Sequence, residues 1–210
     1  MTQTITAKKL ARHLQDMPAG RHLVALAGPP ASGKSTLAKA LAEQLNQTHP
    51  NRAAIIPMDG FHYDDAVLEA RGDRARKGAP HTFDVAGFAH LLGRLKVNTE
   101  PEVAIPLFDR QLEVARAGAA IIAQEVELLL VEGNYLLLER NPWGKLAAYF
   151  DLTVMIDVSE AELRRRLSQR WVDFGFDADA VALKVEENDL PNGQEVLHHS
   201  RAATFKVSSV

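Results

Sequence analysis

The sequence contains no cysteine, no hydrophobic run long enough to span a bilayer and no excess of positive charge. The lack of cysteine excludes disulfides, thiolate metal sites and cysteine nucleophiles, and it makes a reducing compartment, the cytoplasm, the expected location. No hydrophobic run approaches the roughly 20 residues that span a bilayer: no run exceeds five residues, and the one at residues 128–131 ends at Glu132. The net charge is -3, whereas a nucleic-acid-binding protein needs a strongly basic face. We therefore expect neither a membrane nor a nucleic acid as partner.

What is present is typical of a globular protein. The chain has 210 residues, of which 46% are hydrophobic and 24% are charged, enough for a substantial core. We expect residues 1–210 to form one domain, with at most an inserted lid.

Short apolar runs alternate with amphipathic segments along the chain. The candidate strands are residues 23–27, 54–57, 126–131, 152–156 and 205–207, and the candidate helices include 5–16, 35–45, 85–95 and 160–171. This alternation predicts an α/β fold in which a mostly parallel sheet is covered by helices on both faces. Residues 101–117 interrupt the alternation and are predicted to form a strand and hairpin beside the main sheet.

A phosphate-binding loop follows the first candidate strand directly. The segment Gly28-Pro29-Pro30-Ala31-Ser32-Gly33-Lys34-Ser35 satisfies the pattern G-x-x-x-x-G-K-[ST]. Glycines let the backbone N–H groups wrap around phosphate oxygens, and the following helix, which contains Thr36, presents its positive end to the same anion. Lys34 is expected to reach the β- and γ-phosphates of ATP, and the Ser35 hydroxyl to ligate Mg²⁺.

Three carboxylates come directly after candidate strands, where open α/β sheets bind their ligands. Asp59 is our candidate for the general base, although Asp-Gly is also a favoured turn pair. Glu132 ends a strand that resembles a Walker B strand and can hold Mg²⁺, directly or through water, or can be a solvated strand end. Asp157 precedes a capping box at Ser159 and is assigned to the helix entry.

An arginine cluster lies on the candidate helix 160–171. Arg164 and Arg165 are interpreted as a solvated face. Arg166 and Arg170 share one helix face, and either they too are solvated or they project over the phosphates as a lid spanning about residues 160–178. In the lid interpretation Arg166 acts in catalysis and Arg170 in nucleotide binding.

Four further segments carry a resemblance to a known group. They are residues 57–62 (PMDGFH), 76–84 (RKGAPHTFD), 131–135 (VEGNY) and 188–192 (NDLPN). With the phosphate loop, they resemble the P-loop kinases related to uridine kinase, phosphoribulokinase and bacterial pantothenate kinase, and among these the fructose-transport-system or fructokinase-like branch. The resemblance implies a P-loop NTPase fold, three-layer α/β/α with a five-stranded mainly parallel sheet and a helical arginine lid. It also implies ATP as donor and Asp59 as catalytic aspartate. Relatives of this kind are often dimers, so a homodimer is one of the open oligomeric states.

The same resemblance indicates where a hydroxyl acceptor binds. Segments of about residues 59–88 and 104–118 resemble the acceptor-binding segments, in which Asp84 would hold acceptor hydroxyls and Asp109 and Arg110 would form the second contact. His62 and His81 adjoin these segments, and each is either a substrate contact or a plain loop residue. Relatives usually show aromatic and histidine residues where this chain has Arg110, which points to a more polar or anionic acceptor.

These observations predict a kinase that phosphorylates a hydroxyl of a small metabolite, such as a sugar, with pantothenate or a nucleoside as alternative acceptors. A GTPase is disfavoured because no N-K-x-D motif follows the D-x-x-G match at residues 84–87. A non-catalytic nucleotide-sensing module stays open, since it would keep the phosphate loop but would not need Asp59.

Overall fold

The computed structural model describes residues 2–208. The strands are β1 (Gln3–Ile5), β2 (His22–Ala27), β3 (Ala53–Pro57), β4 (Glu102–Asp109), β5 (Val114–Ala123), β6 (Leu128–Gly133), β7 (Leu152–Asp157) and β8 (Phe205–Ser208). The helices are α1 (Ala7–Gln15), α2 (Lys34–Thr48), α3 (Asp65–Arg71), α4 (Val85–Val97), α5 (Glu160–Asp173), α6 (Ala178–Lys184) and α7 (Leu190–His199). Between residues 2 and 208 no helix is long and apolar enough to cross a membrane.

The main sheet has six parallel strands in the order β1-β8-β7-β2-β6-β3. The five predicted strands are all present. Strand β1 is the sixth, and it pairs with β8 so that Gln3 lies opposite Phe205. The prediction of a helix starting at residue 5 was wrong by two residues. Ile5 belongs to β1, and Thr6 caps α1 by accepting a hydrogen bond from the Lys9 N–H at 3.2 Å.

The central strand β2 shows why the fold has three layers. Its side chains alternate between two hydrophobic clusters. Leu23, Ala25 and Ala27 face the cluster that contains α4, whereas Val24 and Leu26 face the cluster that contains α1 and α2. All five are fully buried, as expected for a parallel strand covered on both sides.

Strands β4 and β5 form a separate antiparallel ribbon, which confirms the predicted hairpin beside the main sheet. The ribbon packs on a 3₁₀ turn, Met58–Phe61, that directly follows β3. At Gly60 an added Cβ would lie only 2.4 Å from the carbonyl oxygen of Pro106 in β4. Glycine at this position is therefore what lets the ribbon approach the turn that carries Asp59.

Helices α5, α6 and α7 enclose a third, smaller hydrophobic cluster that includes Leu163, Leu167 and Val181. The predicted cap of α5 is confirmed, since Ser159 Oγ accepts a hydrogen bond from the Glu162 N–H at 3.3 Å. This cluster fixes the face of α5 that is turned away from the solvent and thereby positions its arginines.

Candidate active site

The phosphate loop connects β2 to α2, so the strand–loop–helix context that the motif requires is confirmed. Gly33 has φ of 93°, a conformation that glycine adopts without strain. At Gly28 an added Cβ would lie 2.7 Å from Ser32 Oγ, so the loop folds tightly on itself. Ser32 is fully buried, and its hydroxyl has no hydrogen-bond partner among residues 2–208.

The side chain of Lys34 lies between the backbone of the phosphate loop and two carboxylates, those of Glu132 and Asp59. Its ammonium group donates to the Pro29 carbonyl at 3.5 Å. Burial lowers the pKa of Lys34, and the charges of Glu132 and Asp59 oppose that effect. Since neither carboxylate is within ion-pair distance of Lys34 in the described residues, the ammonium group has room to bind phosphate oxygens between them.

Ser35 and Glu132 are in direct contact at the start of α2 and the end of β6. The Ser35 hydroxyl donates to Glu132 Oε2 at 3.0 Å. Burial raises the pKa of Glu132, which Lys34 counteracts and Asp59 reinforces. Within the described residues no group of three or more His, Cys, Asp and Glu side chains could hold a metal on its own. A hydroxyl and one carboxylate nevertheless fit Mg²⁺ bound together with a nucleotide, because phosphate oxygens and waters fill its other positions.

Asp59 lies in the 3₁₀ turn after β3, and one oxygen of its carboxylate is paired with Arg110 from the tip of the β4–β5 ribbon. Arg110 Nη2 donates to Asp59 Oδ2 at 2.5 Å. The Asp59 backbone carbonyl binds His62 Nδ1 at 2.8 Å. Burial acts to raise the pKa of Asp59, but His62 and Arg110 outweigh it, so the pKa lies below its ordinary value.

Helix α5 turns one arginine towards the phosphate loop. Arg166 Nη1 lies 3.4 Å from the Ser32 carbonyl oxygen. Glu162, one turn earlier, binds Arg165 Nη2 and Arg166 Nε with the same oxygen, each at 2.7 Å. These hydrogen bonds, those of Arg165 first, lower the pKa of Glu162 to about 2. The carboxylate is therefore charged at neutral pH and orients Arg166 along the loop.

The other three arginines of α5 fall into two groups, two that are exposed to solvent and one that is half-buried. Arg164 and Arg165 are exposed and pair with Glu186 and Glu162, consistent with a solvated face. Arg170 is half-buried, and burial lowers its pKa, as does the nearby charge of Arg110.

One cavity of 1350 Å³ connects these groups. It runs along the carboxyl ends of the strands, on both sides of the phosphate loop. On the side of β7 and β8 its lining is largely apolar and includes Ala7, Leu37, Ile156 and Val207. On the side of β3 and β6 its lining is polar and mostly basic and includes Asp59, His62, Arg76, Lys77, Arg110 and Asn134.

Of the predicted acceptor-binding residues, His62 and Arg110 line this cavity, whereas three others lie outside the lining that the described residues form. His81 is exposed and lies 3.4 Å from the Asp73 carboxylate. Asp84 caps α4 by accepting from the Gly87 N–H at 2.9 Å. Asp109 caps the ribbon turn and pairs with Arg116 at 3.3 Å. A role for these three in binding an acceptor stays a prediction.

The sequence assigned no individual role to the two basic cavity residues that begin the RKGAPHTFD segment, Arg76 and Lys77. Arg76 donates to the Glu187 carbonyl and lies 3.5 Å from Asn192 Oδ1. Lys77 binds Asp65 at 2.6 Å and the Glu113 carbonyl at 2.8 Å. Their position at the start of one of the segments that carry the family resemblance was the available signal.

Comparisons with known proteins show which family the chain resembles. The family model described as "Phosphoribulokinase / Uridine kinase family" matches residues 23–195. The "Uncharacterized protein YggC" of Escherichia coli (strain K12) is 37% identical over 192 residues, covering 90% of this chain and 78% of that protein. The "Putative uridine kinase C227.14" of Schizosaccharomyces pombe is 32% identical over 221 residues, covering 97% and 92%. The crystal structure of a "putative fructose transport system kinase" from Silicibacter sp. TM1040 matches with a TM-score of 0.89 and 41% identity, covering 96% of this chain and 98% of that one.

Proposed function

The chain belongs to the phosphoribulokinase / uridine kinase family, and we propose that it transfers the γ-phosphoryl group of ATP to a hydroxyl of a small metabolite. The observation that carries the proposal is the shared cavity, in which the phosphate loop and Asp59 line one continuous space. A nucleotide held by the loop and a second molecule beside Asp59 would then meet end to end, as in-line phosphoryl transfer requires.

The donor is assigned to the loop and the apolar end of the cavity. In this proposal the backbone of residues 28–36 surrounds the phosphates, and the buried Ser32 hydroxyl is one of the polar groups available to them. Lys34 and Arg166 bind the oxygens around the transferred phosphoryl group, and Arg170 lies beside them. The side chains at the ends of β7 and β8 give the adenine ring of ATP an apolar surface to pack on.

Mg²⁺ would be held by Ser35 and Glu132 and would neutralise charge that develops on the phosphates. The protein's own part is to keep these two oxygen ligands together. The buried strand β6 and the first turn of α2 do so by bringing Ser35 Oγ and Glu132 Oε2 to 3.0 Å.

Asp59 is proposed as the general base. As the acceptor oxygen attacks the γ-phosphorus, its proton passes to the Asp59 carboxylate and the bond to the ADP oxygen breaks. The 3₁₀ turn after β3 holds Asp59 at the carboxyl end of the sheet, where a hydroxyl bound in the basic end of the cavity would lie beside it.

This geometry identifies the acceptor only as a small metabolite with a hydroxyl group, and a sugar, pantothenate and a nucleoside are the candidates to test.

We also propose that residues 1–210 act as one kinase domain, with residues 160–178 as lid and residues 59–88 and 104–118 around the acceptor. A cytoplasmic location and a homodimer complete the proposal.

The experiment is an ADP-release assay over sugars, sugar phosphates, nucleosides and pantothenate, comparing wild type with Asp59→Asn. We expect Asp59→Asn to bind ATP normally and to lose roughly 10²–10⁴ in transfer rate. Asp157→Asn is the matched control, since Asp157 also ends a strand but pairs with Lys206 at 3.0 Å, outside the cavity lining of the described residues.

Three results would contradict the proposal. Unchanged turnover in Asp59→Asn would remove Asp59 as the base. Uniformly weak ATP hydrolysis that no acceptor increases would favour a nucleotide-sensing module. A clear preference for GTP over ATP would exclude the donor assignment.

A further inference from the structure

The end of the cavity opposite the apolar surface carries an excess of positive charge. Arg76, Lys77 and Arg110 all line it, together with His62. Lys77 is neutralised locally, because its ammonium group lies 2.6 Å from Asp65 and 3.7 Å from Glu113. The guanidinium groups of Arg76 and Arg110 are not compensated in this way.

Arg76 is half-buried, yet its hydrogen bonds go to neutral oxygens, the Glu187 carbonyl and the Asn192 side-chain amide. No carboxylate in the described part of the chain is within ion-pair distance of it. A partly desolvated guanidinium group without a counter-charge is unfavourable, and this one borders an open cavity large enough for a second molecule.

Arg110 has a counter-charge, but that counter-charge is the proposed base. With Arg110 Nη2 on Asp59 Oδ2 at 2.5 Å, one of the two oxygens of the proposed base is held in an ion pair. Arg110 stands in the turn of residues 110–113 at the tip of the ribbon, and its side chain is 54% exposed. A long side chain at an exposed tip can rotate to another partner without moving the ribbon.

We propose that the acceptor carries a carboxylate or phosphate group besides its hydroxyl, and that this anionic group binds Arg76 and Arg110 and draws Arg110 away from Asp59. The inference rests on the proposed function, because it assigns the substrate class of the same site. Once Asp59 is released, it takes the proton of the acceptor hydroxyl while the oxygen–phosphorus bond forms and ADP leaves.

Charge explains why a neutral acceptor would bind less well. Arginine pairs with carboxylate and phosphate through two parallel hydrogen bonds, and an anionic acceptor supplies a partner for Arg76 and compensates Arg110 for the loss of Asp59. A neutral acceptor does neither, so Arg110 stays on Asp59.

The test measures binding of matched pairs of compounds by calorimetry to the enzyme saturated with Mg²⁺ and a non-hydrolysable ATP analogue. The pairs are glycerate and glycerol, gluconate and sorbitol, fructose 6-phosphate and fructose, and pantothenate and pantothenol. We expect at least one anionic member to bind at least about tenfold tighter than its neutral twin, the size of one charge-assisted hydrogen bond. Comparison of the carboxylate with the phosphate pairs identifies the group.

Variants assign the preference to the arginines. Arg110→Gln and Arg76→Gln should each reduce the anion preference by about tenfold, and Arg110→Lys should retain part of it. Arg116→Gln is the control, since Arg116 is an exposed arginine of the same ribbon that pairs with Asp109 outside the cavity lining of the described residues. It should leave the preference unchanged.

The proposal is overturned if neutral members bind as tightly as their anionic twins, if no anionic member binds, or if Arg110→Gln keeps the full preference. Mass spectrometry of each compound after incubation with ATP separates this failure from that of the proposed function. Anion-selective binding without any phosphorylated product would contradict the kinase proposal alone. Efficient phosphorylation of a neutral compound would contradict the anionic acceptor alone.

Discussion

Removal of one hydroxyl group, in Tyr135→Phe, should loosen the acceptor side of the cavity and leave the donor side intact. Tyr135 lies two residues after β6, is fully buried, and donates its hydroxyl to the Gly78 carbonyl at 2.5 Å. Gly78 follows the two basic residues Arg76 and Lys77. The Tyr135 ring packs against Trp143, with centroids 5.3 Å apart, and phenylalanine would keep that contact.

The magnitude follows from the loss of the hydrogen bond to Gly78. A hydrogen bond of this kind contributes about 1 kcal/mol, and the loss would be larger if the carbonyl stayed dry. Gly78 is only half-buried, so water can replace the hydroxyl. We therefore expect the free energy of unfolding to fall by about 1 kcal/mol and Tm by about 2–4 °C for a chain of this length.

Urea unfolding and steady-state kinetics check both parts. The KM for the acceptor should rise while the KM for ATP stays constant, because the phosphate loop is unchanged. Tyr149→Phe is the control, since no hydrogen bond of the Tyr149 hydroxyl is present within residues 2–208. Equal stability of Tyr135→Phe and wild type, or an equal rise of both KM values, would refute the reasoning.

Two further predictions concern the donor side. Lys34→Ala should weaken ATP binding and abolish transfer in a nucleotide titration, whereas Lys39→Ala, which changes an exposed lysine of the same helix, should do neither; transfer that survives in Lys34→Ala would remove the loop from the mechanism. Glu162→Gln should lower kcat by about three- to tenfold with little change in ATP affinity, because Arg166 loses its charged partner. Glu160→Gln, whose contact is with Arg164 instead, should be silent, and equal effects of the two glutamate changes would contradict a role in orienting Arg166.

Much of the fold was predictable because its signals are local. The five apolar runs became strands, and the phosphate loop and the cap at Ser159 are short segments whose conformation their own residues determine. Strand β1 was missed because Gln3–Ile5 is only three residues long. It is a strand because Phe205, at the far end of the chain, pairs with it, and no local pattern contains that information.

In the candidate site, too, some contacts could be predicted from the sequence and others depend on how distant segments pack. The contact between Ser35 and Glu132 could be expected, since Glu132 lies at the carboxyl end of β6 and Ser35 begins the helix that follows the neighbouring strand β2. The pair of Asp59 and Arg110 could not, because it depends on how the ribbon docks on the 3₁₀ turn. The family resemblance assigns Asp84 to the acceptor, and the structure shows its side chain as the N-cap of α4. A short polar side chain at a helix start can serve either role, and sequence alone does not separate the two.

The docking of the ribbon at Gly60 has a consequence for how such enzymes diverge. The ribbon shares no strand pairing with the main sheet in the described part of the chain, so mutations at its tip leave the register of the six central strands unaffected. After gene duplication, residues 110–113 can therefore drift in sequence and length while ATP recognition is inherited unchanged. Purifying selection should act instead on Gly60, where a side chain would collide with Pro106. New substrate preferences would then arise by changes in one short turn.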